Sequence, residues 1–454
     1  MQLTAPGLSH RAEEHLKQGA ESPLMGAIMK TFSNQWDAET NPNGIVNAGL
    51  AENSLMHDWL VKFFERQGTL KILHTDLTYG QSILGSDRLL SALSTTYSRY
   101  FNPHKPIENK HLVTSNGMSS MIEHLAACIS DEGDEWLLPA PWYNGFVQDL
   151  NATSKVGIAS VDIPDGQHGE LGEVEALDAE MQRRKREGGK KITAVLVTNP
   201  HNPLGFCYKR DVLVEYARFA ERWNLYLVSD EIYALSVFDS PDSSAPTEPF
   251  TSILALDVLK EAQCNPARVL QLWGMSKDFG ANGFRGGCLV SQHNEKIMQA
   301  LATTAMPMRM GSPTDILWSA LLNSPDLSHY VEANQRALAR AYTFVSAWLH
   351  GQKLPYRPAQ SGHFLLVDFR ELVRRLAKSS ADSPSTDDEI KFLNQLVDHG
   401  VYLGPGFSYA VSTPGYFRIT FSIRRKELEV GLERIEKMCS LPSLAKKLSK
   451  QHPQ

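Results

Sequence analysis

Between about residue 76 and residue 314 short apolar runs alternate with stretches of helical periodicity. The runs His111–Ser115, Glu135–Leu138, Val156–Val161, Ile192–Thr198, Leu225–Ser229, Arg268–Trp273 and Gly287–Ser291 read as strands. Met118–Ile129, Val174–Arg184 and Asp211–Trp223 read as helices between them. Strands alternating with helices predict an α/β unit, a mostly parallel seven-stranded sheet sandwiched by helices. Beyond about residue 315 the pattern turns to longer amphipathic helices, Thr314–Leu322, His329–His350 and Asp387–Asp398, with strand-like Phe364–Phe369 and Phe417–Phe421. The first residues carry helix-like Ala12–Gly19 and Pro23–Ser33, and a turn at Asn41-Pro42-Asn43-Gly44. The expected division is 1–75 as an N-terminal arm and part of a small α+β domain, 76–314 as the large domain, and 315–454 as the C-terminal small domain. Asp239–Pro249 and Lys378–Asp388 read as exposed loops, and Lys446–Lys450 as a solvated tail.

In a sheet of this kind ligands bind beyond the carboxyl ends of the strands. Polar motifs fall there. Thr114-Ser115-Asn116-Gly117-Met118-Ser119 follows the first strand, Asn199-Pro200-His201-Asn202-Pro203-Leu204-Gly205 the fourth, Asp230-Glu231-Ile232-Tyr233 the fifth and Ser276-Lys277 the sixth. Lys277 stands where a strand gives way to a glycine-punctuated loop. An amine held among apolar and cationic neighbours loses basicity and can form a Schiff base with an aldehyde. Gly274-Met275-Ser276-Lys277-Asp278 misses the nucleophile elbow of serine hydrolases, because Asp278 stands where the second glycine belongs.

Composition narrows the partners. The 454 residues are 42% hydrophobic and 21% charged with a net charge of -6, so the chain offers no electrostatic footprint for nucleic acid or an anionic membrane. Its five scattered cysteines form no CxxC pair, which argues against a disulfide framework or a zinc site and for a reducing compartment. The first residues lack a signal-peptide pattern, and no 18-residue apolar run occurs, which points to the cytoplasm.

The strand-end residues have a common chemical logic. A carboxylate at Asp230 would stay ionised beside a protonated pyridine nitrogen. Asn202 and Tyr233 are types that hydrogen-bond a phenolate oxygen, and Tyr143 can stack on a ring. The helix opening at Gly117, with Ser119, Ser276 and the fork of Arg285, would make a phosphate cup. Ile45–Asn53 breaks at Gly49 beside Glu52 and Asn53; the segment is either a place where a substrate meets backbone or the cap of the helix Leu55–Phe64.

The ordered motifs N-P-H-N-P-L-G, S-D-E-I-Y and S-K-D-F-G-A-N-G-F-R resemble those of the aspartate aminotransferase superfamily, fold type I pyridoxal-phosphate enzymes of class I and II. Asn47–Asn53 and Thr413-Pro414-Gly415-Tyr416-Phe417-Arg418 resemble its 1-aminocyclopropane-1-carboxylate synthase-like branch, which includes fungal relatives in secondary metabolism. The resemblance implies pyridoxal 5'-phosphate as cofactor. It makes Lys277 the Schiff-base lysine and general base, Asp230 the pyridine partner, and Asn202 and Tyr233 the ligands of the ring oxygen. It has Tyr143 stack on the ring while Met118 (through its backbone), Ser119, Ser276 and Arg285 hold the phosphate. Arg418 would clamp the substrate α-carboxylate, with Ala51 and Glu52 beside the substrate. Tyr79, in Leu77-Thr78-Tyr79-Gly80, resembles the tyrosine that reaches a neighbouring subunit's cofactor, which implies a homodimer with shared sites. The chain departs from the pattern at three places. Gly274 stands where plant synthases carry a serine, Tyr79 directly precedes Gly80 instead of standing two residues before it, and Asn144 replaces a usual proline.

For an α-amino-acid substrate the resemblance allows three outcomes after loss of the Cα proton: transamination, loss of a sulfur leaving group, or ring closure. The Glu52 segment favours C–S bond cleavage on an S-substituted amino acid. Amino transfer to a 2-oxo acid is the alternative, and a non-catalytic homologue is a third reading that the intact Lys277, Asp230 and Arg418 count against.

Overall fold

The computed structural model describes residues 7–66, 68–80, 82–242, 244–378 and 383–451. After the short strand β1 (Val46–Asn47), seven strands follow: β2 (Leu112–Ser115), β3 (Glu135–Ala140), β4 (Gly157–Asp162), β5 (Ile192–Thr198), β6 (Tyr226–Asp230), β7 (Val269–Gly274) and β8 (Gly287–Val290). They form one sheet in the order β2-β8-β7-β6-β5-β3-β4, in which only β8 runs against the others. Every residue of β5 is buried, as an interior strand covered on both faces must be. This is the mostly parallel α/β sheet that the apolar runs predict.

Four further strands follow, β9 (Phe364–Asp368), β10 (Val401–Tyr402), β11 (Gly404–Pro405) and β12 (Tyr416–Thr420). β11, β12 and β9 make an antiparallel sheet, and β10 pairs with β1 in parallel. The 26-residue helix Leu327–Gln352 packs its buried face, Leu338, Tyr342, Val345 and Leu349 among others, into the same apolar cluster as β9 and β12. Val46 belongs to that cluster too, so the N-terminal segment is anchored in it.

Some expectations change. His111 lies in a 3-10 turn, Asn109–His111, rather than in a strand. The terminal lysines are exposed as expected but lie on a helix, Ala445–Gln451, whose start is held where Glu436 Oε1 accepts from the backbone N–H groups of Leu444 and Ala445 at 2.9 and 2.8 Å. The helix after Glu52-Asn53-Ser54 begins at His57 with no side-chain cap, so that segment is no cap. Asn53 Nδ2 is turned instead to Asn334 Oδ1 at 2.9 Å. The Asp239–Pro249 loop is tied down where Tyr342 and Tyr356 donate to Asp242 at 2.5 and 2.7 Å. Residues 379–382 of the expected loop Lys378–Asp388 lie outside the described residues, and its end caps a helix, with Ser385 ahead of Thr386–Asp398. All five cysteines are free thiols, and among the described residues no helix is long and apolar enough to cross a membrane.

Candidate active site

Lys277 sits on a single helical turn, Met275–Asp278, that directly follows β7, where a glycine loop was expected. Asp278 locks this turn: it is buried and accepts from Trp273 Nε1 at 2.8 Å, Ser236 Oγ at 2.7 Å and the Leu235 N–H at 3.0 Å. With the turn fixed, Lys277 Nζ donates to the carbonyl oxygen of Ala51 at 2.6 Å. Burial, and after it the charge of Arg418, pushes the amine down to about 8. Gly274 ends β7 opposite Gly287, and a Cβ there would lie 2.6 Å from the Gly286 carbonyl oxygen. The glycine therefore permits the close approach of β7 and β8 that sets the height of the Lys277 turn.

Asp230 is the last residue of β6 and is 6% exposed. It accepts only from the Ile232 N–H, at 3.2 Å, and forms no ion pair among the described residues. Burial pushes its carboxyl up to about 7. A carboxylate in this position has a place for a cation that the protein does not fill.

Arg418, on β12, is the reverse case. It is 2% exposed, yet among the described residues its guanidinium meets no carboxylate. Nη1 donates to Asn202 Oδ1 at 2.8 Å and Nη2 to the Gly49 carbonyl at 2.6 Å, while Nε is buried without a partner. The group rests over the rings of Tyr409 and Phe364, 4.5 and 4.7 Å from their centroids. A buried cation held by neutral groups is a receptor for an anion.

A third cradle lies where the helix Met118–Ile129 begins. Gly117 has φ +87, and a Cβ there would fall 2.5 Å from Arg285 Nη2, so the guanidinium lies against the helix start. Arg285 is held by its own bond from Nη1 to the Asn282 carbonyl at 2.9 Å. Met118 is half-buried and Ser119 exposed at the helix start, while Ser276 is buried one residue before the lysine. Asp149, pushed up to about 6 by burial, faces Ser119 and Arg285.

The remaining expected residues divide. Tyr233 is buried, with its ring edge-on to His363 (5.1 Å, 87°) and to Phe364 (5.4 Å, 89°). Tyr143 is half-buried and edge-on to Phe146 at 5.2 Å. Ala51 and Tyr233 share one small apolar cluster with Phe364 and Met118. Glu52 Oε1 accepts from Asn282 Nδ2 at 3.1 Å, and its charge favours the protonated form of Lys277. Tyr79 is not brought to Lys277: it is 74% exposed, and its carbonyl accepts from Arg309.

Lys277, Asp230 and the Gly117–Arg285 cradle suit one molecule. An anionic tail fits Gly117 and Arg285, a cationic ring nitrogen fits Asp230, and an aldehyde fits Lys277, so the residues present fit pyridoxal phosphate. A model of the aminotransferase class I and II family matches residues 71–435. The chain belongs to that family. Class I and II aminotransferases are fold type I enzymes whose cofactor is pyridoxal phosphate. An Aspergillus fumigatus protein named "Probable aminotransferase" is 32% identical over 400 residues, 87% of this chain and 89% of that protein. Mouse 1-aminocyclopropane-1-carboxylate synthase-like protein 1 is 29% identical over 412 residues, 89% of this chain and 78% of that protein. Among solved structures, a single mutant of Thermus thermophilus aspartate aminotransferase superposes with a TM-score of 0.71 at 19% identity, covering 96% of this chain and all of that one.

Three residues packed around these side chains escaped the sequence reading. Tyr409 carries no motif and is placed by its fold beneath Arg418. Asp149 lies in a plain helix, Phe146–Asn151. His363 is fully buried, with Nε2 3.1 Å from Ser236 Oγ. Because the Ser236 proton is committed to Asp278, the hydroxyl accepts from His363 Nε2–H, which leaves Nδ1 as a buried acceptor without a partner.

Proposed function

We propose that this chain breaks the C–S bond of an S-substituted α-amino acid. The observation that carries the reading is Glu52: its carboxylate forms no ion pair among the described residues, is held by Asn282, and acts electrostatically on Lys277. Arg418 receives the substrate carboxylate through its free Nε, which orients the Cα–H bond toward Lys277. Lys277, partly neutral near pH 8, takes the Cα proton. Pyridoxal phosphate, when bound through Lys277, Asp230, Asn202, Tyr233, Tyr143 and the Gly117–Arg285 cradle, supplies the electron sink for that step. Glu52 then attracts a sulfonium substituent or, when protonated, gives its proton to the departing sulfur. The exposed apolar side chains Leu70, Ile72, Leu77 and Tyr79 support a homodimer in which Tyr79 serves the site of a second copy. The free thiols support a cytoplasmic location.

The names carried by relatives favour a second reading, amino transfer to a 2-oxo acid. Products separate the two. A panel of S-substituted and ordinary amino acids is scored for thiol, ammonia, keto acid and amino transfer. Thiol, ammonia and keto acid without any added acceptor support C–S cleavage. Turnover that requires a 2-oxo acid overturns it in favour of amino transfer, and a Lys277→Ala protein that keeps its activity removes both.

A further inference from the structure

Outside the Lys277 site, a cavity of about 330 Å³ opens where β3 and β4 end near the residues leading into β9 and β12. Ile163, Leu204, Leu366 and Val411 give it apolar walls, and Arg357, His168, Asp162 and Asp165 are among the polar side chains that line it. Arg357 is half-buried and makes no hydrogen bond or ion pair through its guanidinium among the described residues; the guanidinium lies over the Phe206 ring, its carbon 5.4 Å from the centroid. Glu173, whose charge acts on Arg357, and Asp368, on the same cavity, are occupied. Glu173 accepts from Tyr208 Oη at 2.7 Å, Tyr216 Oη at 2.5 Å and the Gly169 N–H at 2.8 Å, and Asp368 is held by Arg370 at 2.6 Å. His168 stays neutral, pushed down to about 4 by burial and then by the Arg357 charge, and its Nδ1 is buried without a partner. Asp165 and Asp162, both exposed and without ion pairs among the described residues, stand at the end of β4 on the same cavity.

We infer that this cavity is a second small-molecule site, one that takes a zwitterion of α-amino-acid size: its carboxylate on Arg357, its ammonium on Asp165, and an apolar side chain against Leu204 and Leu366. One uncompensated cation and uncompensated carboxylates on one apolar-walled cavity match a molecule bearing both charges, whereas a simple anion would be repelled by Asp162 and Asp165. The volume falls within the range of small-ligand pockets, about 300–1,000 Å³. Three of its lining residues stand two positions along the chain from proposed site residues, Leu204 from Asn202, Pro141 from Tyr143, and Tyr416 from Arg418.

Equilibrium dialysis of radiolabelled L-leucine against borohydride-reduced holoenzyme tests this, because the reduced Lys277 linkage prevents turnover and covalent capture. Saturable binding of one leucine per chain is expected. Arg357→Met and the exposed Asp165→Asn each weaken it at least about tenfold, while Arg418→Ala leaves it in place. Absence of saturable binding overturns the site. So does binding that is lost with Arg418→Ala but kept in Asp165→Asn, which would be leucine in the active site. Acetate competing as well as leucine would overturn the zwitterion. Since no step of the reaction is measured, failure here leaves the C–S cleavage reading untouched.

Discussion

Arg418 Nη1 donates to Asn202 Oδ1 at 2.8 Å, a buried bond that joins β12 to the turn after β5. The proposed substrate clamp and a proposed cofactor ligand thus share one proton. The bond occupies Asn202 Oδ1 and leaves Nδ2 to donate to the ring oxygen, so the arginine that receives the substrate carboxylate also orients the cofactor ligand.

Replacing Arg418 with Ala removes a buried charged contact worth about 2–5 kcal/mol. We expect KM for amino-acid substrates to rise by a factor of about 30 or more, with the cofactor still bound as read by its absorption band. Steady-state kinetics on the variant and wild type check this, and an unchanged KM would remove Arg418 from the carboxylate site.

The cofactor-free protein should be sensitive to pH through Asp230. Its folded value, about 7, lies above the ordinary 3.8, so the stability it contributes is complete below about pH 4 and is lost as pH rises through about 7. Asp230→Asn should unfold at a temperature similar to wild type in acid and be the more stable of the two at pH 8, by up to roughly 3–4 kcal/mol for this buried group. Cofactor brings a cation to the carboxylate, so the difference should shrink in holoenzyme. Thermal melts across this range decide it; parallel curves for both proteins would mean that Asp230 is not the group responsible.

Gly274→Ser tests whether glycine is required where plant synthases carry serine. A side chain here meets the Gly286 carbonyl at 2.6 Å and Gly287 Cα at 3.2 Å, both backbone atoms with little room to give. We expect a loss of stability of about 1–3 kcal/mol, as for overpacking, and weaker cofactor binding by titration rather than the gain that an added phosphate hydroxyl would bring.

The strands were legible because buried parallel strands are continuous apolar runs, and β5 matches its predicted span residue for residue. The motifs after them were legible because this sheet puts its chemistry at strand ends. Contacts between distant segments were not. Nothing around Lys277 announces that Asp278 would fold the turn onto Trp273 and Ser236, and nothing near Lys446 announces the cap from Glu436. His363 is similarly silent, since its role depends on a serine 127 positions away. The helix Asp87–Tyr100, by contrast, was readable and went unread: Ser86 caps it, and Leu89, Leu90, Leu93 and Tyr97 repeat at helical spacing.

Glu52 carries the choice of reaction, and Glu52→Gln isolates its charge while keeping an oxygen to accept from Asn282 Nδ2. If the carboxylate attracts a sulfonium or protonates departing sulfur, the variant should lose about tenfold or more in kcat/KM for S-substituted amino acids. Any slow amino transfer should change far less, because Arg418 and Asp230 are untouched. The same substitution removes a charge that favours protonated Lys277, so the rise with pH in the rate of cofactor capture by the apo protein should move to lower pH from its position near 8. Rates of band formation against pH read this directly. Equal losses on both reactions would show that Glu52 only shapes the site, and the preference for C–S cleavage would then lose its support.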